Sequence, residues 1–461
     1  MKMITRRGLF LIVLIVAFLG CLGFLIYSFA ADGDEWVMQP YNSHIYYNGE
    51  LTGAGKITDV NGRSLAETVE GQREYNDSAT TRRSTLHTVG DTKGFISTGV
   101  QNVYEARLTG YNILTGIFSA ANGNSNDMEL TIDADVCDVA YEALEGYKAG
   151  CVGVVNYKTG DIVCMVSTPS YDVQNEPSDM DSDPDYEGVY INRLLTGLYT
   201  PGSTFKIVTA ICAIENIPDI YDRTFTCTGE YDPGSGTPIE CNAYHGEIDF
   251  EDALAKSCNA TFAQIAIELG PEKLAETAKQ LGLTSSVTVS GDITSSTGRF
   301  FLEDGDADDY VGWTGIGQGD TLVSPVAMLR LVGAIANDGN AVSYNIVNSF
   351  ANKAGKALDF NFTRRETPLL SAETASQIKS MLRYNVEKQY GDYNYEGLNL
   401  CAKSGTAQID SVDAHNTAWF VGFMDDEENP YAFVVLVEYG NSGSQTAGPI
   451  ANRVLQALVN K

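Results

Sequence analysis

The sequence is poor in histidine and in basic residues. Only four of the 461 residues are histidine, and no two cysteines have the CxxC spacing of a zinc-ligand pair, so we expect no metal site and no cofactor. The 30 lysines and arginines are outnumbered by 60 acidic residues, which leaves a formal net charge of −30 at pH 7. A chain this negative repels polyanions, and nucleic-acid binding is therefore not expected.

Cysteine is present, but not in the pattern of a disulfide-stabilised domain. The nine cysteines are an odd number scattered along a long chain, which does not give a compact disulfide framework. Cys227 and Cys241 flank a turn-rich segment and could either close a disulfide across it or remain free. Four others lie in apolar stretches, where a buried thiol packs as a small hydrophobic side chain: Cys137, Cys151, Cys164 and Cys212.

A long apolar run begins close to the N-terminus. It extends from Leu9 to about Ala30, which is long enough to span a bilayer as a helix. Lys2, Arg6 and Arg7 precede it, and by the positive-inside rule the start of the chain then lies in the cytoplasm and the remainder outside. Residues 1–30 are thus predicted to form a cytoplasmic tip and an uncleaved transmembrane anchor. A signal peptide cleaved after Ala30 is the alternative.

Two folded units are expected after this segment, since a long chain with 44% hydrophobic residues can bury a large core. Residues 31–129 are rich in glycine, asparagine and threonine, lack a strong helical period, and are predicted to form a small, mostly β unit. Turn-forming residues at 121–127 mark its end. Residues 130–461 are predicted to form an α/β (α+β) domain in which helices cover a sheet.

Apolar spacing predicts several elements of this second unit. Its first helix is expected at residues 134–147, and a closing helix runs from Pro449 to the C-terminus. Four runs have the composition of strands, and they form two pairs, each joined by a polar turn: 151–156 with 162–166, and 419–423 with 432–438.

Three short motifs carry side chains that can do chemistry. Thr200-Pro-Gly-Ser203 is followed by Lys206 and an apolar helical run, which places Ser203 at a helix N-terminus and Lys206 on the same helical face. A serine hydroxyl is a weak nucleophile at neutral pH, and a desolvated lysine can accept its proton. Ser257-Cys258-Asn259 comes next and precedes a second helical run. Lys403-Ser404-Gly405-Thr406 then opens a strand-like segment.

This ordered set of SxxK, SxN and K-[ST]-G resembles the signature of serine β-lactamases and penicillin-binding proteins. Over essentially its whole length the chain is similar to a class B penicillin-binding protein, a monofunctional D,D-transpeptidase. The resemblance implies a transpeptidase domain with an antiparallel sheet flanked by helices, a pedestal at 31–129 and one transmembrane helix. Further segments that match the family's pattern are Leu130–Asp133, Thr159-Gly160, Pro169–Asp172, Asn192-Arg193, His245-Gly246, Gly315–Gly319, Ser324-Pro325 and Trp419–Phe423.

The resemblance also implies a role for each polar residue of the motifs. Ser203 would be the nucleophile that attacks the penultimate D-Ala carbonyl of a peptidoglycan stem peptide, and Lys206 would be the base that activates it. Ser257 would relay the proton to the departing D-Ala amine, while Asn259 would hold the substrate amide and Lys206 in place. Lys403 would supply positive charge that keeps Lys206 neutral and would help to bind the terminal carboxylate.

The third motif is implied to bind substrate. Ser404 and Thr406 would hydrogen-bond the carboxylate, and the backbone N–H groups of Ser203 and Thr406 would form the oxyanion hole. Gly405 suits a strand that a ligand must approach closely. Two residues depart from the motif as commonly written, since Cys258 replaces Asp and Ser404 replaces Thr. For Cys258, as for His245, a structural role is expected.

Other functions would use the same residues. A penicillin sensor or an inactive scaffold would keep the acylation site and signal instead of cross-linking, but only about seven residues are expected in the cytoplasm. A serine β-lactamase would differ in letting water clear the acyl-enzyme, and such enzymes usually lack an anchor and a pedestal. The family implies stem peptides and β-lactams as ligands, and a membrane glycosyltransferase of the SEDS type as a partner.

Overall fold

The computed structural model describes residues 2–38, 46–47, 50–51, 53–112, 117–118, 125–180, 182–234, 236–291, 293–352, 355, 357–360, 364–408 and 416–460. Helix α1 (Lys2–Val37) contains the apolar run, and its segment Arg6–Phe29 is long and apolar enough to cross a membrane. Large apolar side chains of this segment, such as Phe18 and Phe24, are exposed, as expected for residues that contact lipid. The helix is consistent with a single-pass anchor.

The N-terminal unit combines short strands with short helices. Its strands are β1 (Tyr46–Tyr47), β2 (Glu50–Leu51), β3 (Ile57–Thr58), β4 (Ser64–Val69), β5 (Gln72–Tyr75), β6 (Tyr111–Asn112), β7 (Ile117–Phe118) and β8 (Asn126–Leu130). Its helices are α2 (Ala79–Ser84), α3 (Leu86–Val89), α4 (Val100–Val103) and α5 (Glu105–Leu108). The segment predicted to be mostly β therefore also has helices between residues 79 and 108. Residues 121–124 of the predicted turn lie outside the described residues.

The rest of the chain alternates helices and strands. Its helices are α6 (Ala134–Leu144), α7 (Lys206–Asn216), α8 (Phe250–Ala255), α9 (Asn259–Gln280, interrupted at Gly270), α10 (Asp308–Gly315), α11 (Pro325–Ala336), α12 (Ala372–Asn385) and α13 (Gly448–Val459). Its strands are β9 (Ala149–Asn156), β10 (Ile162–Thr168), β11 (Phe225–Cys227), β12 (Glu230–Tyr231), β13 (Ile239–Glu240), β14 (Gly246–Ile248), β15 (Val347–Asn352), β16 (Ala357–Phe360), β17 (Leu400–Ala407), β18 (Thr417–Met424) and β19 (Tyr431–Glu438). The predicted helices and strand pairs of this unit are confirmed, although α6 ends at Leu144.

A five-stranded antiparallel sheet forms the centre of this unit, in the order β10-β9-β19-β18-β17. All eight residues of β18 are buried, so its near-continuous apolar sequence is that of a strand covered on both faces. Helices α6 and α13 pack against each other and against the β9–β10–β19 part of the sheet, while α11 and α12 pack against each other and against β17, β18 and β19. The catalytic motifs lie around the edge strand β17.

A second sheet crosses the predicted domain boundary. Its order is β16-β15-β8-β3-β4-β5, so strands from the first part of the chain pair with β15 and β16 from the second part. Met128 of β8, for example, lies opposite Ile57 on one side and Phe350 on the other. Strands β15 and β16 thus complete the sheet of the N-terminal unit, which sequence order alone does not indicate.

A buried ion pair also connects the two parts of the chain. Arg82 in α2 donates from Nε to Asp172 Oδ1 at 2.6 Å and from Nη2 to Oδ2 at 2.7 Å. The two side chains are 9% and 7% exposed, so the charges have little access to water and depend on each other. The Arg82 guanidinium accordingly holds the pKa of the Asp172 carboxyl far below its usual range. Asp172 belongs to one of the segments that match the family pattern, and its position is structural.

Candidate active site

Ser203 lies in a tight turn at the start of a helix, as its sequence predicts. Residues Gly202–Phe205 form one 3₁₀ turn, and α7 continues from Lys206. Gly202 has φ +53°, and its N–H donates to the carbonyl of Gly317 at 2.9 Å. Gly317 has φ +80°, and a Cβ at this position would lie 2.1 Å from the Gly202 carbonyl oxygen. The turn that carries Ser203 is therefore supported by a second backbone segment that can approach only because it is glycine.

Lys206 is at the centre of the site, and its side chain is fully buried. Its Nζ lies 2.9 Å from Ser203 Oγ, 2.9 Å from the Ser257 carbonyl oxygen, 3.2 Å from Ser257 Oγ and 2.6 Å from Asn259 Oδ1. Burial disfavours the charged ammonium and lowers the pKa of Lys206 to about 7. At neutral pH a large share of this amine is therefore unprotonated and can accept the proton of Ser203.

The second motif joins helices α8 and α9. Ser257 lies just after α8 and has φ +55°, in the left-handed region that costs a non-glycine residue about 1–2 kcal/mol. Its N–H donates to the Leu254 carbonyl at 3.1 Å, and the next N–H, of Cys258, donates to the Ala253 carbonyl at 2.9 Å. Asn259 then begins α9. This strained corner directs Ser257 Oγ and Asn259 Oδ1 towards the same lysine.

Lys403 lies on the other side of Ser257. Its Nζ contacts Ser257 Oγ at 3.0 Å and the Ser404 carbonyl oxygen at 3.0 Å, and the side chain is fully buried. Burial, and then the neighbouring Lys206, lower the pKa of Lys403 well below its usual value. Two buried amines bridged by one hydroxyl disfavour double protonation. The Ser257 hydroxyl is the link through which a proton could pass between them.

The K-[ST]-G strand packs directly on the nucleophile turn. A Cβ at Gly405 would lie 2.8 Å from Thr204 Cγ2 and 3.0 Å from the Pro201 carbonyl oxygen. Glycine is thus needed here for the approach of the Pro201–Thr204 turn, whereas the sequence interpretation had assigned that approach to a ligand. This close packing brings the backbone of Ser203 and that of Thr406 to the same end of the site.

Tyr390 is a site residue that the sequence interpretation missed. Its hydroxyl donates to Ser404 Oγ at 2.8 Å and accepts the Ser404 N–H at 2.7 Å. Asn385 Nδ2 donates to the same hydroxyl at 3.1 Å and to the Ala402 carbonyl at 2.7 Å. Tyr390 therefore fixes the orientation of the Ser404 hydroxyl. No local motif marks it, because it precedes Ser404 by 14 residues and reaches it only through the packing of α12 on β17.

The motif residues line a common cleft of about 480 Å³. Ser203, Ser257, Asn259, Ser404 and Thr406 all face this space, while Lys206 and Lys403 lie beneath it. The structure thus brings together the eight residues predicted to be catalytic or substrate-binding. Lining residues that the motifs did not indicate include Asn242, Trp313, Ile316, Gln318, Gln408 and Ser444. Trp313 and Ile316 add apolar surface to the lining of the cleft.

The cysteines near this site differ from the sequence expectation. Cys227 and Cys241 are free thiols, so the disulfide considered between them is not formed. Instead their side chains gather with those of His245 and Cys258, and the four possible ligand atoms all lie within 4.8 Å of one another. The sequence interpretation did not anticipate this cluster of possible ligand atoms. The spacing Cys-x₃-His within 241–245 was the available signal, and it was overlooked because the two other cysteines are distant in sequence.

Comparisons with known proteins agree with this arrangement. The family model for the penicillin-binding protein transpeptidase domain matches residues 150–456. The chain is 25% identical to the peptidoglycan D,D-transpeptidase PbpA of Mycolicibacterium smegmatis over 94% of each chain, and 26% identical to penicillin-binding protein 3 of Bacillus subtilis over 76% of this chain and 54% of that protein. Its fold is similar to that of penicillin-binding protein A from M. tuberculosis, solved as a penicillin G acyl-enzyme complex, with a TM-score of 0.75 at 22% identity over 88% of this chain and all of that one. The chain therefore belongs to the penicillin-binding protein transpeptidase family, and within it to class B.

Proposed function

We propose that this protein is a serine-type peptidoglycan D,D-transpeptidase. The observation that carries the proposal is the hydrogen-bonded chain from Ser203 through Lys206 and Ser257 to Lys403, beside a cleft of about 480 Å³. A nucleophile, a desolvated base and a proton relay are the parts that acyl transfer by a serine enzyme requires. The curated relatives named as D,D-transpeptidases support the same assignment.

The acylation step follows from these contacts. Ser203 Oγ attacks the carbonyl of the penultimate D-Ala of a stem peptide as its proton passes to Lys206 Nζ. The backbone N–H groups of Ser203 and Thr406 stabilise the oxyanion, and losing one such donor typically costs about 3–4 kcal/mol in the barrier. When the C–N bond breaks, Ser257 delivers a proton to the departing D-Ala amine, and the lysine pair restores it. An acceptor amine from a second stem peptide then takes the acyl group and releases Ser203, which cross-links the two strands.

The same geometry supports recognition of the substrate's C-terminal carboxylate. A substrate carboxylate beside Lys403 would favour the charged ammonium form of this lysine. Ser404, oriented by Tyr390, and Thr406 offer hydroxyl donors on the cleft wall. Asn259 donates from Nδ2 to the Glu240 carbonyl at 2.9 Å, which fixes the side chain whose Oδ1 holds Lys206.

The remaining assignments concern the setting of this reaction. We assign residues 1–30 to a cytoplasmic tip and anchor, 31–129 to the pedestal and 130–461 to the transpeptidase domain outside the cytoplasm, with β15 and β16 completing the pedestal sheet. The basic residues before α1's apolar segment support this orientation. Chain elongation by a SEDS-type membrane glycosyltransferase would supply the strands that this enzyme cross-links.

Covalent capture by a β-lactam tests the assignment. The full chain in detergent is incubated with benzylpenicillin and followed by intact-mass spectrometry over hours, with Ser203→Ala as the control. We expect a long-lived penicilloyl adduct on the parent chain and no adduct on Ser203→Ala. Rapid loss of the adduct would identify a β-lactamase instead, and a folded parent chain that never forms an adduct would contradict the proposal in favour of a non-catalytic scaffold.

The pH dependence of acylation should report the base. Because the fold lowers the pKa of Lys206 to about 7, the neutral amine is lost as the pH falls through that value. The second-order rate constant of acylation by a fluorescent penicillin is expected to fall about tenfold per pH unit below this pKa and to level off above it. A rate that stays constant down to pH values well below the pKa of Lys206, while the protein remains folded, would mean that Lys206 is not the base.

A further inference from the structure

The side chains of Cys227, Cys241, His245 and Cys258 form a cluster beside the catalytic cleft that the proposed reaction does not use. Cys227 and Cys258 are buried, while Cys241 and His245 are half-buried, so the group lies just under the surface. The four residues come from three local segments, because Cys241 and His245 share the loop between β13 and β14. Cys227 ends β11, Cys241 follows β13, His245 precedes β14, and Cys258 caps α9.

Three of the six distances between the possible ligand atoms match those of a tetrahedral ion, and all six are within 4.8 Å. Cys241 Sγ lies 3.8 Å from Cys258 Sγ, and His245 Nδ1 lies 3.5 Å from Cys227 Sγ and 3.6 Å from Cys241 Sγ. Zinc binds sulfur at about 2.3 Å and nitrogen at about 2.0–2.1 Å, so a tetrahedron places two sulfurs about 3.8 Å apart and a sulfur and a nitrogen about 3.6 Å apart. A disulfide, by contrast, requires an S–S distance of about 2.05 Å.

The surroundings of the sulfur atoms suit thiolate ligands. The Asn259 N–H donates to Cys241 Sγ at 3.3 Å. The N–H and Oγ1 of Thr261 lie 3.5 and 3.3 Å from Cys258 Sγ. Donors of this kind orient metal-bound cysteines and offset their negative charge. Three thiolates and one imidazole with no further open position make a closed set, which is typical of structural zinc and not of calcium or magnesium.

We propose that Cys227, Cys241, His245 and Cys258 bind one zinc ion, and that this ion fixes the loop carrying Ser257 and Asn259. Cys258 is the residue between them, and it follows directly on the strained left-handed conformation of Ser257. Cys241 follows Glu240, whose carbonyl accepts from Asn259. The ion would therefore tie the β11–β14 and β12–β13 pairs to the start of α9. Binding releases the thiol protons to solvent and needs no oxidant. The catalytic consequence rests on the proposed function, whereas the metal site does not.

Metal analysis of the full chain, purified in detergent without chelators, tests the proposal. We expect one zinc ion per chain by inductively coupled plasma mass spectrometry. Cys227→Ala and His245→Ala should each lose most of this zinc, whereas Cys212→Ala, which removes a buried thiol of α7 that is not part of the cluster, should keep it. Cobalt added to chelator-treated parent chain should give the charge-transfer and visible bands of tetrahedral thiolate coordination. The zinc content and the cobalt spectrum of the parent chain need neither a folded variant nor activity.

Two results would overturn the metal site. One is a reduced, folded parent chain that contains no zinc and takes up neither zinc nor cobalt. The other is an intact mass that shows a disulfide within the cluster in place of a bound ion. Acylation is measured separately on the same samples: removal of zinc should slow penicilloyl formation at least tenfold and lower the melting temperature, and added zinc should restore both. A zinc-loaded chain that forms no adduct would count against the transpeptidase assignment and leave the metal site intact.

Discussion

Replacing Lys206 by methionine is expected to slow acylation of Ser203 by benzylpenicillin by roughly 10²–10⁴-fold, the range that a positioned general base contributes. Methionine has a similar length and fills the buried position without an amine. The proton of Ser203 Oγ, now 2.9 Å from the lysine nitrogen, would then have no acceptor at that site. The measurement is the second-order rate of fluorescent penicillin labelling, followed in a gel or by stopped flow.

Stability separates this loss from misfolding. A buried amine is costly to place in the fold, as the lowered pKa of Lys206 indicates, so its removal offsets the loss of the contacts to Asn259 and Ser257. We expect a melting temperature close to that of the parent chain. Lys279→Met, on the exposed side of α9, serves as the matched control and should leave both acylation and melting unchanged. A Lys206→Met chain that is folded and acylates at the parent rate would contradict the role of Lys206.

The motif residues could be predicted from the sequence because each lies in a short segment with a local geometric cause. Pro201 and Gly202 set the start of the helix that presents Ser203, and a spacing of three residues then places Lys206 against it. The strand pairs around the central sheet were predictable for a similar reason, since both strands of each pair are apolar and adjacent in sequence. In these cases local spacing alone determines which residues meet.

Features that depend on distant segments were not predictable in this way. Tyr390 orients Ser404 only because α12 packs on β17, and β15 joins the pedestal sheet although more than 200 residues separate it from β8. The cluster around Cys258 was overlooked for the same reason, because its side chains come from three local segments. The sequence correctly predicts a close approach to the strand at Gly405, but the approaching group is the turn that carries Ser203 and not a ligand. The sequence shows the chemistry of a side chain, whereas tertiary packing determines which residues that side chain contacts.

The second large effect on acylation is expected at Gly317, whose backbone supports the turn that carries Ser203. Gly317→Ala should reduce the acylation rate by roughly 100-fold, because a displacement of about 1 Å at reacting groups can cost that much. The added Cβ would lie 2.1 Å from the Gly202 carbonyl oxygen and 2.6 Å from Phe205 Cβ, neither of which can move without shifting Ser203. The measurement is again penicillin labelling, with circular dichroism to verify folding.

Gly319→Ala is the matched control, because the chain offers a second glycine two residues away with nearly the same backbone strain. Gly319 has φ +74° against +80° for Gly317, but the nearest atoms to its added Cβ would be Tyr310 Cε2 at 3.8 Å and Thr314 Oγ1 at 3.9 Å. Both variants therefore incur the left-handed cost of about 1–2 kcal/mol, and only Gly317→Ala also displaces the nucleophile turn. If the two variants lose acylation to the same extent, backbone strain alone accounts for the loss and the contact between Gly317 and Gly202 does not position Ser203. If Gly317→Ala is the slower by an order of magnitude or more, the glycine-rich segment after α10 acts as a positioning element for the nucleophile.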